Sequence, residues 1–385
     1  MPVFNRPTLA KNYARVILKA DGINPAASGL FLSAPRRVGK STFVREDLRP
    51  ALEEGGAVVI YVDLWDDTIG DPGQEIVKKI RQELIKHNGV VQTLAQKIGV
   101  TNFKVANFQF DLNKVGLGGD SELSLKDALE ALSQETKKMI VLIIDEAQQT
   151  QTSKHGESAL FALKAARDEL NSSKHHGLRV VCTGSNRAKL ALMTSSKDQP
   201  FFGAQTAQFQ MLDLSFVKWF CDTIELPFKL HAEDVMPIFE AHGYRPEILL
   251  SAAGSFALVF DEIADEAGLA QFKEEARIKA AEATDELMRT VHNLTPLQSA
   301  VLKVMAFTLD KYAPFEANTI ELYKKALSAA GASSEEKELS TQSCQSALSA
   351  LQEKKLVWKA ARGTYYLEEV SIADTLRSAG LLDFA

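Results

Sequence analysis

The sequence predicts an α/β fold: a parallel sheet carrying a phosphate-binding loop, then a mainly helical region, then a terminal module of three helices and a β-ribbon. Three observations predict it. An apolar run, Ser28 to Ser33, leads into Ala34-Pro-Arg-Arg-Val-Gly-Lys-Ser-Thr42, and a helix-compatible segment, Phe43 to Arg49, leads out. The aliphatic run Ile140 to Ile144 ends in Asp145 and Glu146, which reads as a strand buried on both faces with acids at its carboxyl end. Beyond Leu214 helical spacing dominates until Leu356 to Leu367, which reads as two short strands joined across a turn at Arg362-Gly363.

The first element sets the chemistry. A strand that ends in a tight loop and feeds a helix points successive backbone N–H groups, and the positive helix N-terminus, at one anion. Pro35, Arg36, Arg37, Val38, Gly39, Lys40, Ser41 and Thr42 form that loop. Lys40 reaches the outer phosphates in this reading, and the Ser41 hydroxyl ligates Mg²⁺, so ATP and Mg²⁺ are the expected ligands. Ala34 stands where the G-x-x-x-x-G-K-[ST] pattern has its first glycine, which is tolerable if the strand leaves with negative φ.

Val58 to Leu64 is the next buried strand, and Gln74 to Ile98 is largely helical with a break at Asn88-Gly89. Phe103 to Gly118, with spaced apolar residues and a glycine-rich exit, reads as a hairpin insertion. A helix capped by Ser124 runs to Thr136 and precedes the acidic strand. Ligands of open α/β sheets bind at the carboxyl end of the strands, so Asp145 would hold Mg²⁺ through its hydration shell and Glu146 would orient or deprotonate the attacking water. The plainer reading of the Asp-Glu pair is a helix cap. Glu157 to Leu170 is helical, and Leu178 to Arg187 is a strand ending in small polar residues at the same sheet edge. Ser185 or Asn186 would touch the γ-phosphate or the water; the alternative is a polar turn that caps the next helix.

The second half is helical from Leu214 to about Asn293, broken at Gly243-Tyr-Arg-Pro246, where Pro246 starts a helix and Arg245 precedes it. Gln271 to His292 reads as one long surface helix. Helices at Pro296 to Leu309, Ile320 to Ala330 and Thr341 to Glu353, followed by the ribbon, make a winged helix. Cys344, Leu348 and Leu351 form the buried stripe of its third helix, leaving Gln342, Gln345 and Ser346 to face a DNA groove. Residues 295–385 carry ten Lys/Arg against eleven Asp/Glu. Within Ser340 to Leu367, however, Lys354, Lys355, Lys359 and Arg362 face only Glu353, so the ribbon can make a few phosphate contacts. The other use of such a module is protein packing.

Composition sets limits. At 385 residues, with 45% apolar and 24% charged side chains, the chain has room for two or three domains with real cores. No apolar run approaches the length of a membrane span, and Met-Pro-Val-Phe-Asn-Arg-Pro lacks a signal peptide's apolar core, so a cytoplasmic protein without membrane partners is expected. Three widely spaced cysteines give neither a disulfide framework nor a C-x-x-C site, and the seven histidines lack zinc-ligand spacing. A net charge of −6 argues against a non-specific nucleic-acid coat.

On Pro35-Arg-Arg-Val-Gly-Lys-Ser-Thr42, Ile143-Ile-Asp-Glu-Ala-Gln148, Thr183-Gly-Ser-Asn186 and Gly243-Tyr-Arg-Pro246, the chain resembles the P-loop ATPases of the AAA+ superfamily. The paired arginines before Val-Gly-Lys resemble the branch of archaeal-type ATPases, related to STAND signalling ATPases. The resemblance covers nearly the whole chain. It implies an ASCE-type P-loop core over 1–213, with the insertion near 103–118, a helical lid over 214–293 and a winged-helix domain over 294–385, as in origin-recognition initiators. It implies that Glu146 activates water, that Ser185 or Asn186 is the first sensor, and that Arg245 and Pro246 contact the nucleotide from the lid. One departure stands out: relatives often carry an arginine after a Phe/Tyr-Gly pair, but Phe202-Gly203 is followed by Ala204-Gln205, which puts the arginine finger in doubt and leaves two alternatives, a slow switch or a finger borrowed from Arg187 or another arginine.

Two functions follow as expectations. The first is an ATPase that couples nucleotide state to DNA binding, in a replication, mobile-element or defence setting. The second is a slow signalling switch whose winged helix contacts a protein partner or inhibits its own core. A homo-oligomer is compatible with both. A small-molecule kinase is the weaker third class, because no acceptor pocket is legible.

Overall fold

The computed structural model describes residues 3–19, 24–65, 70–87, 89–90, 124–172, 175–331, 339–361, 363–369 and 371–384. The hairpin expected near 103–118 and the expected ribbon-turn residue Arg362 lie outside them. The chain divides into two compact units, Met1–Gln210 and Met211–Ala385.

The first unit begins with α1 (Pro7–Ile17) and β1 (Leu30–Ser33). After the loop come α2 (Lys40–Phe43), a π-helical turn (Val44–Leu48), α3 (Arg49–Glu54), β2 (Val58–Asp63) and α4 (Pro72–Ile85). Then follow α5 (Leu125–Thr136), β3 (Ile140–Asp145), a 3-10 turn (Ala147–Thr152), α6 (Lys154–Leu170), β4 (Leu178–Gly184), α7 (Arg187–Ser195) and β5 (Gln205–Gln208). The five strands are parallel, in the order β2-β3-β4-β1-β5. Every residue of β3 is buried, as its unbroken aliphatic run requires of a strand covered on both faces.

Strand alternation divides the core. Val58, Ile60, Val62, Ile140, Leu142, Ile144, Leu178, Val180 and Cys182 point to the face that packs on α4, α5 and α6. Residues of opposite parity face α1 and α3. Among these is Arg179, whose Nε donates to the Ile17 carbonyl at 3.2 Å and so closes the C-terminal end of α1. Each fully buried Val, Leu or Ile contributes about 1.5–3 kcal/mol, which is why the sheet rather than any single helix anchors this unit.

Several helix starts differ from the sequence reading, each for a local reason. The loop helix begins at Lys40 rather than Phe43, because Gly39, at φ 82°, turns the chain into it. The helix expected from Glu157 begins at Lys154, where Ser153 Oγ accepts from the Gly156 N–H at 2.9 Å. The Ser124 cap of α5 is a full capping box with Asp127.

The second unit consists of α8 (Leu214–Thr223), α9 (Ala232–Ala241), α10 (Pro246–Gly254), α11 (Asp265–His292), α12 (Pro296–Thr308), α13 (Ala317–Ala329), α14 (Thr341–Glu353), the antiparallel ribbon β6 (Val357–Ala361) and β7 (Thr364–Leu367), and α15 (Ser371–Ser378). α11 starts six residues before the expected Gln271 and α13 three before Ile320. Phe216, Phe220, Phe239 and Phe272 make one ring cluster among α8, α9 and α11. A separate core joins α12, α13, α14, the ribbon and α15 through Tyr323, Cys344, Leu348, Leu351, Tyr365 and Leu376. Among the described residues, no helix is long and apolar enough to cross a membrane.

Candidate functional site

The site grows from the carboxyl ends of β1, β3 and β4. β1 delivers the loop without strain at Ala34, whose backbone is not in the left-handed region and whose N–H donates to the Gly184 carbonyl at 3.2 Å. Gly39 is left-handed, a conformation that favours glycine, and its turn aims the first N–H groups of α2 back into the loop. Arg37 is also left-handed, at φ 64°, and exposed. Lys40 opens α2 and is only 5% exposed.

Sheet order decides what Lys40 meets. β4 lies between β1 and β3, so the ends of β4 and β3 both border the loop. Lys40 Nζ lies 2.5 Å from Glu146 Oε1 and 3.4 Å from Asp145 Oδ1. Asp145 is 1% exposed and Glu146 9%. Glu146 leaves the strand in the left-handed conformation, at φ 55°, which separates its carboxylate from that of Asp145.

Each acid has its own partners. Asp145 accepts from the Thr183 hydroxyl, from Tyr61 Oη at 3.2 Å and from the Ser41 side chain. Glu146 Oε2 accepts from the Ser185 N–H at 3.1 Å, from Ser185 Oγ at 2.7 Å and from Gln148 Nε2 at 2.5 Å. Burial by itself would raise both carboxyl pKa values. The charge of Lys40 and these hydrogen bonds outweigh it and hold both acids below their ordinary range. Both are therefore carboxylates at neutral pH.

Asn186 and Ser185 separate here. Asn186 Oδ1 accepts from the Lys189 N–H at 2.9 Å and caps α7, whereas Ser185 is the residue on Glu146. Arg36 Nε is 3.4 Å from Ser185 Oγ, and its guanidinium lies over the Trp65 ring. Pro35 and Arg37 are exposed, Val38 is buried, and Thr42 is half-buried in α2. Arg187, at the start of α7, is exposed.

Tyr61, Trp65, Gln148 and Thr183 escaped the sequence reading. Register supplies the missing signal for two of them. Ile143 is level with Tyr61 and Ile144 with Cys182, so Tyr61, Asp145 and Thr183 project from one face of neighbouring strands. Alternation within a strand carries that parity, but the pairing of strands does not appear in the sequence.

The remaining expected site residues belong to the second unit. Arg245 pairs with Glu247 through Nη2 and Oε1 at 2.5 Å, and Pro246 is the first residue of α10. Gln342 and Ser346 are exposed on α14; Gln345 is half-buried and donates to Tyr365 Oη at 2.9 Å. Lys354, Lys355 and Lys359 are exposed, and Lys359 Nζ lies 5.7 Å from the centre of the Tyr365 ring. Burial raises the thiol pKa of Cys182, Cys221 and Cys344, that of Cys221 to about 11, so none is an activated nucleophile.

Comparison with known proteins bears on the fold. Residues 25–192 match the family described as an AAA domain. The ADP form of the ORC2 protein of Aeropyrum pernix is 16% identical, with 99% of this chain and 96% of that one covered at a TM-score of 0.58. The Cdc6p structure of Pyrobaculum aerophilum is 16% identical over 92% of this chain and 87% of that one at a TM-score of 0.38, and AMPPCP-bound DnaA of Aquifex aeolicus is 12% identical over 99% and 96% at 0.34. No curated protein matches in sequence. The parallel five-stranded sheet, the loop between β1 and α2 and the AAA-domain match over residues 25–192 together give this chain the AAA+ P-loop fold.

Proposed function

We propose that the protein binds and hydrolyses ATP, and that its nucleotide state governs DNA binding through a winged helix formed by α12, α13, α14 and the ribbon. The observation that carries the first half is the convergence of Lys40, Asp145 and Glu146 beside the left-handed Gly39. A backbone cradle and a lysine bind phosphates; a buried carboxylate held by Ser185 and Gln148 is aimed to order and deprotonate water.

The donor set suits Mg²⁺. Ser41 and Asp145 are hard oxygen donors already in hydrogen-bond contact, and no cluster of three His, Cys, Asp or Glu side chains exists among the described residues. That is the pattern of an ion held by one or two protein oxygens, phosphates and water. Bound there, Mg²⁺ would neutralise charge on the outer phosphates. Lys40 then exchanges the carboxylates for phosphate oxygens, and Glu146 keeps its Ser185 and Gln148 partners. In the lid, Arg245 and Pro246 are proposed to meet the nucleotide.

Support for the DNA half is the exposed set Gln342, Ser346, Lys354, Lys355 and Lys359 on one module with its own core. With Arg362 they form the proposed surface; Gln345 joins it only by leaving Tyr365. That tether, together with the overall negative charge, favours a second reading, a nucleotide switch whose winged helix docks a protein. ATP hydrolysis by wild type and Glu146→Gln, each with and without double-stranded DNA at low salt, separates the two. DNA-stimulated hydrolysis that Glu146→Gln abolishes supports the first; slow turnover indifferent to DNA supports the second; no turnover removes both.

A further inference from the structure

We infer that Arg36 is the in-chain cation that positions the hydrolytic carboxylate, and that Trp65 is the platform that holds it there. The inference rests on the ATPase reading above.

The geometry is a bridge across the sheet edge. Arg36 follows β1 and Trp65 follows β2, and in the order β2-β3-β4-β1 those strands are three spacings apart, about 14 Å at the usual strand separation. The Arg36 guanidinium carbon nevertheless lies 4.8 Å from the centre of the Trp65 ring. The contact therefore passes over the carboxyl ends of β4 and β3, where Ser185 and Glu146 emerge. On the way Arg36 Nε comes within 3.4 Å of Ser185 Oγ, and Ser185 Oγ in turn donates to Glu146 Oε2 at 2.7 Å. The Trp65 backbone N–H donates to Asp63 Oδ1 at 2.9 Å, which fixes the chain where it leaves β2. Trp65 is 44% exposed, so its position at the sheet edge is not set by burial in the core.

Arginine suits this place and lysine does not. A planar guanidinium stacks its face on an indole and keeps its edge N–H groups free to donate, whereas an ammonium can do only one of these at a time. The neighbouring Arg37 is exposed and left-handed, so the two adjacent arginines are not equivalent. Arg36 thus acts through Ser185 on Glu146, a positioning residue, and brings a positive charge to the edge where charge builds up during γ-phosphate transfer.

The test measures ATP affinity and kcat separately on the full chain for wild type, Arg36→Ala, Arg36→Lys, Trp65→Ala and Trp65→Phe, with thermal unfolding as a check on folding. Arg36→Ala should lower kcat about tenfold to a hundredfold while ATP affinity changes by less than about threefold. Arg36→Lys should recover little. Trp65→Ala should lower kcat in the same direction and Trp65→Phe, which keeps a ring face, should restore most of it. An Arg36→Ala kcat within about twofold of wild type, or a loss confined to ATP affinity, overturns the inference and leaves the ATPase reading intact. If wild type binds ATP but does not turn it over, the ATPase reading fails instead. Should Arg36→Ala unfold, Arg36→Gln, which keeps a polar side chain of similar reach, takes its place in the comparison.

Discussion

Lys40 Nζ and Glu146 Oε1 stand 2.5 Å apart although 106 residues separate them in the chain. The pair, with Asp145 behind it, joins the loop after β1 to the end of β3 in a buried setting, where charge interactions are strong and loss of one partner is costly.

Lys40→Ala should therefore do two things. ATP binding should fall beyond detection at micromolar concentrations, and the stability of the unliganded protein should drop by about 3–5 kcal/mol, the usual effect of stranding a buried charge. Isothermal titration and chemical denaturation check them independently.

Acid titration tests the same pair. Asp145 and Glu146 have folded pKa values below their ordinary 3.8 and 4.5. Their contribution to stability is thus complete above the ordinary values and is lost as pH falls through the lower folded ones. In Lys40→Ala the burial that raises both carboxyls loses its main opponent, so the variant takes up protons at higher pH and its deficit shrinks on acidification. Tm measured from pH 7 to pH 3 should show the two curves converging; a constant gap contradicts the assigned charge state.

Ser185 and Asn186 are adjacent and should behave differently. Ser185→Ala removes a direct partner of Glu146, and kcat should fall about tenfold or more with little change in unfolding temperature. Asn186→Ala removes the α7 cap and should cost about 1 kcal/mol of stability, by denaturant titration, with a smaller effect on kcat.

At Gly39, with φ 82°, any L-residue is strained. Gly39→Ala should destabilise the loop by about 1–2 kcal/mol and weaken ATP binding by more than tenfold, because the strain falls on the backbone proposed to cradle phosphate. A nucleotide titration and a melting curve on one sample suffice.

If the winged-helix module meets DNA through these lysines, Lys354, Lys355 and Lys359 changed together to Gln should weaken binding at low salt without abolishing it. Losing three phosphate contacts should also flatten the dependence of log affinity on log salt by about 2.7. Binding of wild type and variant to one duplex, followed by fluorescence anisotropy across salt, reads both effects.

Much of this protein was legible in the order of its residues. The loop ending in Gly39-Lys40-Ser41, the all-buried β3 with its two acids, the Ser124 capping box and the span Thr341–Glu353 of α14 depend on contacts a few residues apart, which local spacing and capping chemistry report directly. What the tertiary structure alone decided depends on contacts across the chain. Placing β4 between β1 and β3 set Ser185 on Glu146 and left Asn186 to cap α7; strand register brought Tyr61 and Thr183 to Asp145; and the reach from Arg36 to Trp65 distinguished two arginines that look alike in sequence. The physical reason is that helix and strand periodicity fix which face a side chain takes, while the strand that will lie next to it is chosen by the packing of the whole sheet.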